Sequence, residues 1–466
     1  MTTTGVAAAR INLTEVTDNS RIGWLQIRVF VLCMASLIMD GFDVQVMGYV
    51  NTDMFREWNV PAPALGGLLA LGNAGVLIGA LVFSMVADRI GRRPVLVWAT
   101  FFFSVMTVAT AFAQNIDQMR VLRFVAGIGL GCIIPNATAL VGEFTPKRTR
   151  VAWVMCITVG FTVGAAVAGF VANWLLPPGN WLLPAGGWRS VFIFGGIVPL
   201  VVSVLMFVWL PESLQFLAVR RRRFDLLSRW LRELDPSARV DANTQFVSSE
   251  TSKSGLPFWH LFREGRAFVT TLFWIVNFTN ILVLYSLSGW LPRIFEQLMG
   301  FDRSTANWLG TVVQIGGTAG AFGLAWLVLR AGFTPMLTLT FAVATVSVAL
   351  IGQPGLSLPL LYGIVFVAGW CIVGGQPGLN ALSATYYPTY LRSTGVGAGL
   401  GIGRIGAIVG PVIASALVAQ QWAPQQLLWA AAVPAAISTA VAVTLYFVLG
   451  RTLKSADAAA AATLAH

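Results

Sequence analysis

The sequence predicts an all-α polytopic membrane protein of twelve transmembrane helices in two pseudo-symmetric six-helix bundles. Three observations predict it. Mean hydropathy is +0.75 with only 11% charged residues, whereas soluble domains carry about 25%. The apolar residues fall in runs of about 20, long enough to cross a hydrocarbon core of roughly 30 Å. The two halves also repeat. Arg89, Gly91 and Pro94 recur as Arg330, Gly332 and Pro335 at an offset of 241, and Pro135, Pro146 and Arg150 recur as Pro377, Pro388 and Arg392 at 242. Such a repeat implies two matched bundles with a site between them near the bilayer midplane.

In chain order the apolar runs place spans 1–6 at 24–48, 65–87, 95–114, 119–143, 152–174 and 190–210. Spans 7–12 fall at 268–292, 305–329, 334–353, 359–383, 396–419 and 427–449. Residues 1–210 thus form an N-terminal bundle, 211–267 a cytoplasmic linker and 268–466 a C-terminal bundle. The linker begins LQFLAVRRRRFDLLSRWLREL, apolar and basic near a 3.6 period, which reads as an amphipathic surface helix. The polar stretch after it reads as flexible linker. Residues 1–20 and 455–466 are expected to be poorly ordered tails. No early apolar run ends in a small-residue cleavage site, so no signal peptide is expected.

The net charge of +11 does not point to nucleic acid, because the positive residues occupy every second gap between spans, as the positive-inside rule requires. Both termini are therefore expected in the cytoplasm, with the chain multi-pass in the cell inner (plasma) membrane and in contact with its lipid bilayer. Cys33, Cys132, Cys156 and Cys371 lie inside apolar runs without metal-ligand spacing and read as small hydrophobes. His260 and His466 lie outside the spans, so no histidine is available to carry protons within the membrane. There is no constellation for a nucleophile, a metal or a cofactor. Neither an enzyme nor any cofactor is expected.

The loop after span 2, SMVADRIGRRPV, holds Asp88, Arg89, Gly91, Arg92 and Arg93. Asp88 can pair with Arg92 or a neighbouring helix end, so the loop reads as a conformational latch or as a topology anchor; its second-half copy has Leu329 in place of Asp88. Span 1 carries Asp40 and Asp43, three residues apart on one helix face. Carboxylates at this depth are costly unless they face a cavity or a partner, which suits a reversible proton site or a structural ion pair. Span 4 carries Arg123 a turn inside and Glu143 at its basic end. Arg123 reads as a partner for a span 1 carboxylate or as a substrate ligand, and Glu143 as a gate-region partner of Arg150. Span 11 places Arg404 midway along a glycine-rich helix with no acid on that helix, so an anion from elsewhere is required. A substrate carboxylate held at two points fits, as does a structural pair. Asn277, Asn280, Tyr285 and Trp290 on span 7, and Gln376, Asn380 and Tyr386 on span 10, are candidates to stack on a ring and bond its substituents.

The loop signature resembles that of the major facilitator superfamily, with Ser84 in place of its first Gly. The combination of DGFD in span 1, GWRSVFIFGGIVPL leading to LPESLQFL, LSGWLP in span 7, and YPTYLRSTGVGAGLGIGRIGAIVGP across spans 10 and 11 is similar to the aromatic acid/proton symporter family over nearly the whole chain. The resemblance implies the major facilitator fold and proton-coupled uptake of a small aromatic carboxylate by alternating access, with a monomer as the working unit. It assigns functional roles to Asp40, Asp43, Arg123, Glu143, Arg392 and Arg404. This chain has Ala398 where the family usually has Trp, which implies a roomier site. A proton-coupled antiporter exporting an organic acid or drug is the competing reading, but such antiporters resemble a Gly-Pro pair in span 5 where this chain has Ala165. PESLQFL also resembles a sugar porter, without the paired span 7 Gln residues.

Overall fold

The structure is a computed structural model and describes residues 10–177, 187–220, 224–234, 245–247 and 257–464. Twelve of its helices are long and apolar enough to cross a membrane. Spans 1–6 are Trp24–Glu57, Ala64–Ile90, Arg92–Thr110, Ile116–Phe144, Lys147–Leu175 and Gly187–Trp209. Spans 7–12 are Ala267–Leu298, Arg303–Ala331, Phe333–Ile351, Leu358–Tyr386, Thr389–Ala419 and Pro424–Leu464. Span 4 is interrupted between Leu130 and Ile133, next to Gly129 and Gly131, where the sequence suggested one continuous helix.

Packing repeats with the sequence. Span 1 lies on span 5 as span 7 lies on span 11, span 2 on span 4 as span 8 on span 10, and span 3 on span 6 as span 9 on span 12. Small residues set the closest approaches, since without a hydrophobic drive between helices in lipid, association depends on backbones coming near each other. Gly164 sits on the Ile38 carbonyl between spans 5 and 1, and Gly406 on the Phe278 carbonyl between spans 11 and 7; a β-carbon at either would collide.

Three expectations need correction. The segment 214–234, whose residues 221–223 lie outside the described residues, does not leave its apolar side at the surface. It forms helices Leu214–Arg220 and Phe224–Leu234, and Leu217, Leu227 and Leu231 are buried in the N-terminal core. Their apolar stripe is covered by protein. Residues 10–20 are not a loose tail. Arg10–Asn12 pairs as a parallel strand with Gln245–Val247 of the linker, a small exception to the all-α expectation, and Leu13–Asn19 is a helix with Leu13, Thr17 and Ser20 buried. At the other end, span 12 continues as helix to Leu464. Residues 1–9 and 465–466 lie outside the described residues.

Among the described residues, the hydrogen bonds and the ion pair that join the halves run from mid-span toward one membrane face. Gln45 Nε2 donates to the Ser288 carbonyl (3.0 Å), Gln314 Nε2 to Gln45 Oε1 (3.0 Å), Arg293 to Asn51 Oδ1 (2.9 Å), Thr318 to Thr162 (2.9 Å) and Asn307 to Asn173 (3.2 Å). Asp53 and Arg303 form an ion pair, and Ser415 donates to the Pro63 carbonyl. Apart from the mid-span Thr318–Thr162 bond, these lie toward the ends joined by the loops around 58–63, 176, 299–302 and 420–423. Among the described residues no hydrogen bond joins the two bundles nearer the opposite face, where the arginine-rich loops lie. The interface on that basic side, which no hydrogen bond crosses among the described residues, is the candidate cleft.

Of the ion pairs among the described residues, only Asp53–Arg303 joins the halves. It is partly exposed, so about 1 kcal/mol is a fair magnitude, or roughly fivefold in the ratio of the two conformations. Asp53→Asn is expected to raise solvent labelling of a cysteine placed at Tyr49, inside the seam, by about that factor. Unchanged labelling would show that the pair does not hold the seam.

Candidate functional site

The first site lies inside the N-terminal bundle. Asp43 and Arg123 are 4% and 6% exposed. Arg123 Nη1 donates to both carboxylate oxygens of Asp43, at 3.0 Å each. Thr107 Oγ1 adds a bond to Asp43 Oδ1 at 2.8 Å, and Arg123 Nη2 donates to Thr110 (2.8 Å) and Thr107 (3.3 Å). The Phe192 ring lies 5.2 Å from the guanidinium carbon. A pocket between spans 1, 2 and 4, lined by Asp43, Asn73 and Arg123 among apolar residues, reaches the pair. Of the two readings open for Arg123, the carboxylate partner is the one realised here. Thr107 and Thr110 were invisible to sequence reasoning, since a span 3 threonine carries no signal of which helix it will face.

The second site lies between the halves. Gly66 of span 2 packs against Pro411 and Ser415 of span 11, and Arg404 precedes these by seven and eleven residues, on the same helix face. Arg404 therefore points at the N-terminal half where the seam gives way to the cleft. It is half-buried, and its one described hydrogen bond is to the Tyr285 hydroxyl, at 3.0 Å. No carboxylate lies within ion-pair distance of it among the described residues. Asp40, 3% exposed, is near enough to interact with Arg404 electrostatically but accepts no hydrogen bond from a described residue.

Span 7 shows the same register. Ser288 faces the other half, and Tyr285, Asn280 and Asn277 precede it by three, eight and eleven residues. The amides on spans 7 and 10 come together: Gln376 Nε2 donates to Asn277 Oδ1 (2.9 Å) and Asn380 Oδ1 (3.2 Å), and Asn280 Nδ2 donates to Gln376 Oε1 (2.8 Å). Trp290 and Tyr386 do not join them. Trp290 is 2% exposed in the apolar core beyond Ser288, on the closed side. Tyr386 stacks near Phe273 and Tyr387 at 5.7 and 5.2 Å, about 15 Å along span 10 from Gln376. Ala398 packs against that same apolar cluster, so the room it leaves is not beside Arg404.

The third cluster lies at the basic face. Gly91 turns the chain at φ +107°, and a β-carbon there would strike the Glu212 carboxylate. Glu212 Oε1 accepts the backbone N–H groups of Arg92 (3.0 Å), Arg93 (3.1 Å) and Ser213 (2.8 Å). Burial raises its pKa, opposed by these bonds. Glu143 pairs with Arg92 and accepts from Ser213 Oγ at 2.6 Å, so the expected Glu143–Arg150 pair is not formed. Arg150 instead holds Asp18 (2.6 Å), which also accepts the Lys147 backbone N–H (3.0 Å). Arg93 donates to the Phe207 carbonyl at 2.5 Å, while Arg89 and Arg392 are exposed. The side chain of Asp88 lies outside the described residues. Glu212 was overlooked although LPESLQFL contains it; an acid two residues beyond an apolar run, facing an arginine-rich loop, was the available signal.

Removing one partner of a buried, hydrogen-bonded ion pair costs about 3–5 kcal/mol because the other is left uncompensated. Arg123→Gln is thus expected to lower the thermal unfolding midpoint in detergent sharply, and adding Asp43→Asn to recover part of it. Strictly additive losses would show that the two side chains do not act as a pair.

Three kinds of comparison place the chain among known proteins. The model of the Major Facilitator Superfamily matches residues 33–352 and 273–465. The chain is 36% identical over 411 residues to a gallate transporter of Pseudomonas putida, covering 88% of this chain and 89% of that one. It is 34% identical over 421 residues to the 4-hydroxybenzoate transporter PcaK of the same organism, covering 90% and 92%. The fold is similar to that of a D-xylose–proton symporter (TM-score 0.69, 16% identity, 91% and 97% covered). It also resembles a bacterial homologue of the human lysosomal transporter Spinster in an inward-facing, unoccupied conformation (TM-score 0.66, 17% identity, 91% and 97% covered). A membrane-embedded chain of two matched six-span bundles, with these relatives along nine-tenths of its length, is a transporter and not an enzyme, and it belongs to the Major Facilitator Superfamily, in the family of its aromatic acid transporters.

Proposed function

We propose that the protein takes up a small aromatic carboxylic acid together with protons by alternating access, as a monomer in the inner membrane with both termini in the cytoplasm. The observation that carries the substrate is Arg404. It brings a guanidinium, a cationic group shaped for two-point contact with a carboxylate, to the cleft, and has a neutral hydroxyl as its described hydrogen-bonding partner. Between Asp302 and Asp457 the sequence contains no Asp or Glu, so spans 8–12 cannot supply the missing anion. A substrate carboxylate can, and in doing so it would draw the two halves together. The names borne by the relatives, gallate and 4-hydroxybenzoate transporters, support an aromatic acid as the anion's owner. The positive-inside charge pattern supports an orientation in which the open, basic face is cytoplasmic.

Proton coupling is assigned to Asp40. Asp43 is committed to Arg123 and Thr107. Asp40 is equally buried, accepts no described hydrogen bond and senses Arg404 across the cleft. A carboxylate so placed can take a proton when the cation opposite it is occupied by substrate. Each partner then responds to the other's charge, which is what coupling requires.

The binding test is calorimetry on purified protein with benzoate and its neutral analogue benzamide. Wild type is expected to prefer the acid strongly, and Arg404→Gln to lose roughly two to three orders of magnitude of affinity for it. Arg404→Lys is expected to rescue little, since an ammonium lacks the planar two-point contact. A folded Arg404→Gln protein that keeps the wild-type preference would show that the anion is held elsewhere.

For coupling, accumulation in vesicles should collapse on adding a protonophore and be indifferent to exchanging sodium for potassium. Asp40→Asn is expected to abolish accumulation while exchange of internal for external substrate survives. Concentrative uptake by Asp40→Asn would remove Asp40 from the coupling role.

A further inference from the structure

Arg28, one turn inside span 1, has no partner for its charge. Its Nε and Nη2 are covered by surrounding atoms and neither has a hydrogen-bond acceptor, while Nη1, which also makes no described bond, stays accessible on the half-buried side chain. No carboxylate lies within ion-pair distance of it among the described residues. Its guanidinium carbon lies 5.3 Å from the centre of the Trp230 ring on the helix Phe224–Leu234, and that of Arg229 lies 5.3 Å from the same ring. The Arg229 side chain is exposed and likewise has no described hydrogen bond or ion pair. Two like charges thus share one indole. An aromatic face replaces only part of what a guanidinium loses when its acceptors are taken away.

Position says which anion is at hand. Trp24, Ile27 and Val31 are exposed; at i, i+3 and i+7 they make one apolar stripe along span 1, which in a bilayer faces acyl chains. Arg28 borders that stripe about 6 Å inside the start of the span, a depth from which arginine reaches for headgroups and at which tryptophan settles. The helix Phe224–Leu234 lies against it with Leu227 and Leu231 in the N-terminal core and Arg229 outside. We infer that Arg28, Arg229 and Trp230 form a binding site for the phosphate of an anionic phospholipid, whose acyl chains run along Trp24, Ile27 and Val31. The phosphate meets Arg28 through the open Nη1 and Arg229 from the water side, as a charge-assisted acceptor for both. The headgroup carries net negative charge because no described acid stands there to receive the ammonium of a zwitterionic one. Such a lipid would tie the linker helix to span 1 at the basic face.

The test titrates the delipidated full-length protein in detergent with phosphatidylglycerol or phosphatidylcholine and reads the first bound lipid by native mass spectrometry, with inorganic phosphate as competitor. Wild type is expected to hold phosphatidylglycerol about tenfold more tightly than phosphatidylcholine, and inorganic phosphate to leave it in place. Arg28→Gln is expected to weaken phosphatidylglycerol binding about tenfold and Arg229→Gln about threefold. Arg330→Gln, which removes an arginine lying 4.0 Å over Trp326 elsewhere on the basic face, should change nothing. An equal loss in Arg28→Gln and Arg330→Gln would reduce the effect to the general charge of that face and overturn the site, as would a wild type without preference between the two lipids. Displacement by inorganic phosphate would show a site for a free anion and overturn the lipid assignment. Neither Arg28 nor Arg229 belongs to an ion pair among the described residues, so both variants are expected to fold; if one does not, the other decides.

Discussion

A guanidinium inside a membrane must have an anion, and the molecule meets that constraint in two different ways. Arg123 is neutralised permanently by Asp43, with two threonines and an aromatic ring completing its shell. Arg404 is given a tyrosine hydroxyl and a distant carboxylate on the opposite bundle. The first solution is closed and fixes three helices of one bundle to each other. The second is open: among the described residues no carboxylate comes within ion-pair distance of Arg404, and its printed hydrogen bond is to a neutral hydroxyl. A transporter needs both: rigid halves, and an incomplete interaction between them.

The same contrast runs through the seam and the basic face. Cross-half contacts on the closed side are mostly amides and hydroxyls, each worth about 1 kcal/mol, so no single one locks the halves. The basic-face network is denser and confined to one bundle. Glu212 gathers three backbone N–H groups at the Gly91 turn, and Glu143 joins spans 3 and 4 to the chain leaving span 6. The matching turn at Gly332 has φ +85°, but there Arg330 lies over Trp326 at 4.0 Å. The halves share a backbone design and divide the chemistry unequally.

Much of the fold was legible because lipid makes it so. Span length, charge alternation and the offset near 242 are one-dimensional signals, and they located all twelve helices. The site was legible by residue type but not by partner. Asp43, Arg123 and Arg404 stood out because ionised groups are rare at such depth, yet nothing in the sequence said that Asp43 would be consumed by Arg123 and Asp40 left over. Trp290 and Tyr386 were grouped with the amides on aromatic character alone; helix register sent one behind the seam and the other toward the basic face. The pairing of Glu143 with Arg92 instead of Arg150 followed from Asp18, an acid in a segment that composition marked as a tail.

That segment has a consequence for how the chain is made. Residues 10–12 lie beside 245–247, and the helix after them rests on spans 4 and 5 and on the helix Phe224–Leu234. The partners of the N-terminal segment are thus all translated before span 7 begins. Once the ribosome passes the linker, the first bundle has every element that borders its N-terminal segment. It can close into a finished unit while the second half is still unsynthesised, and the later spans then insert against a template.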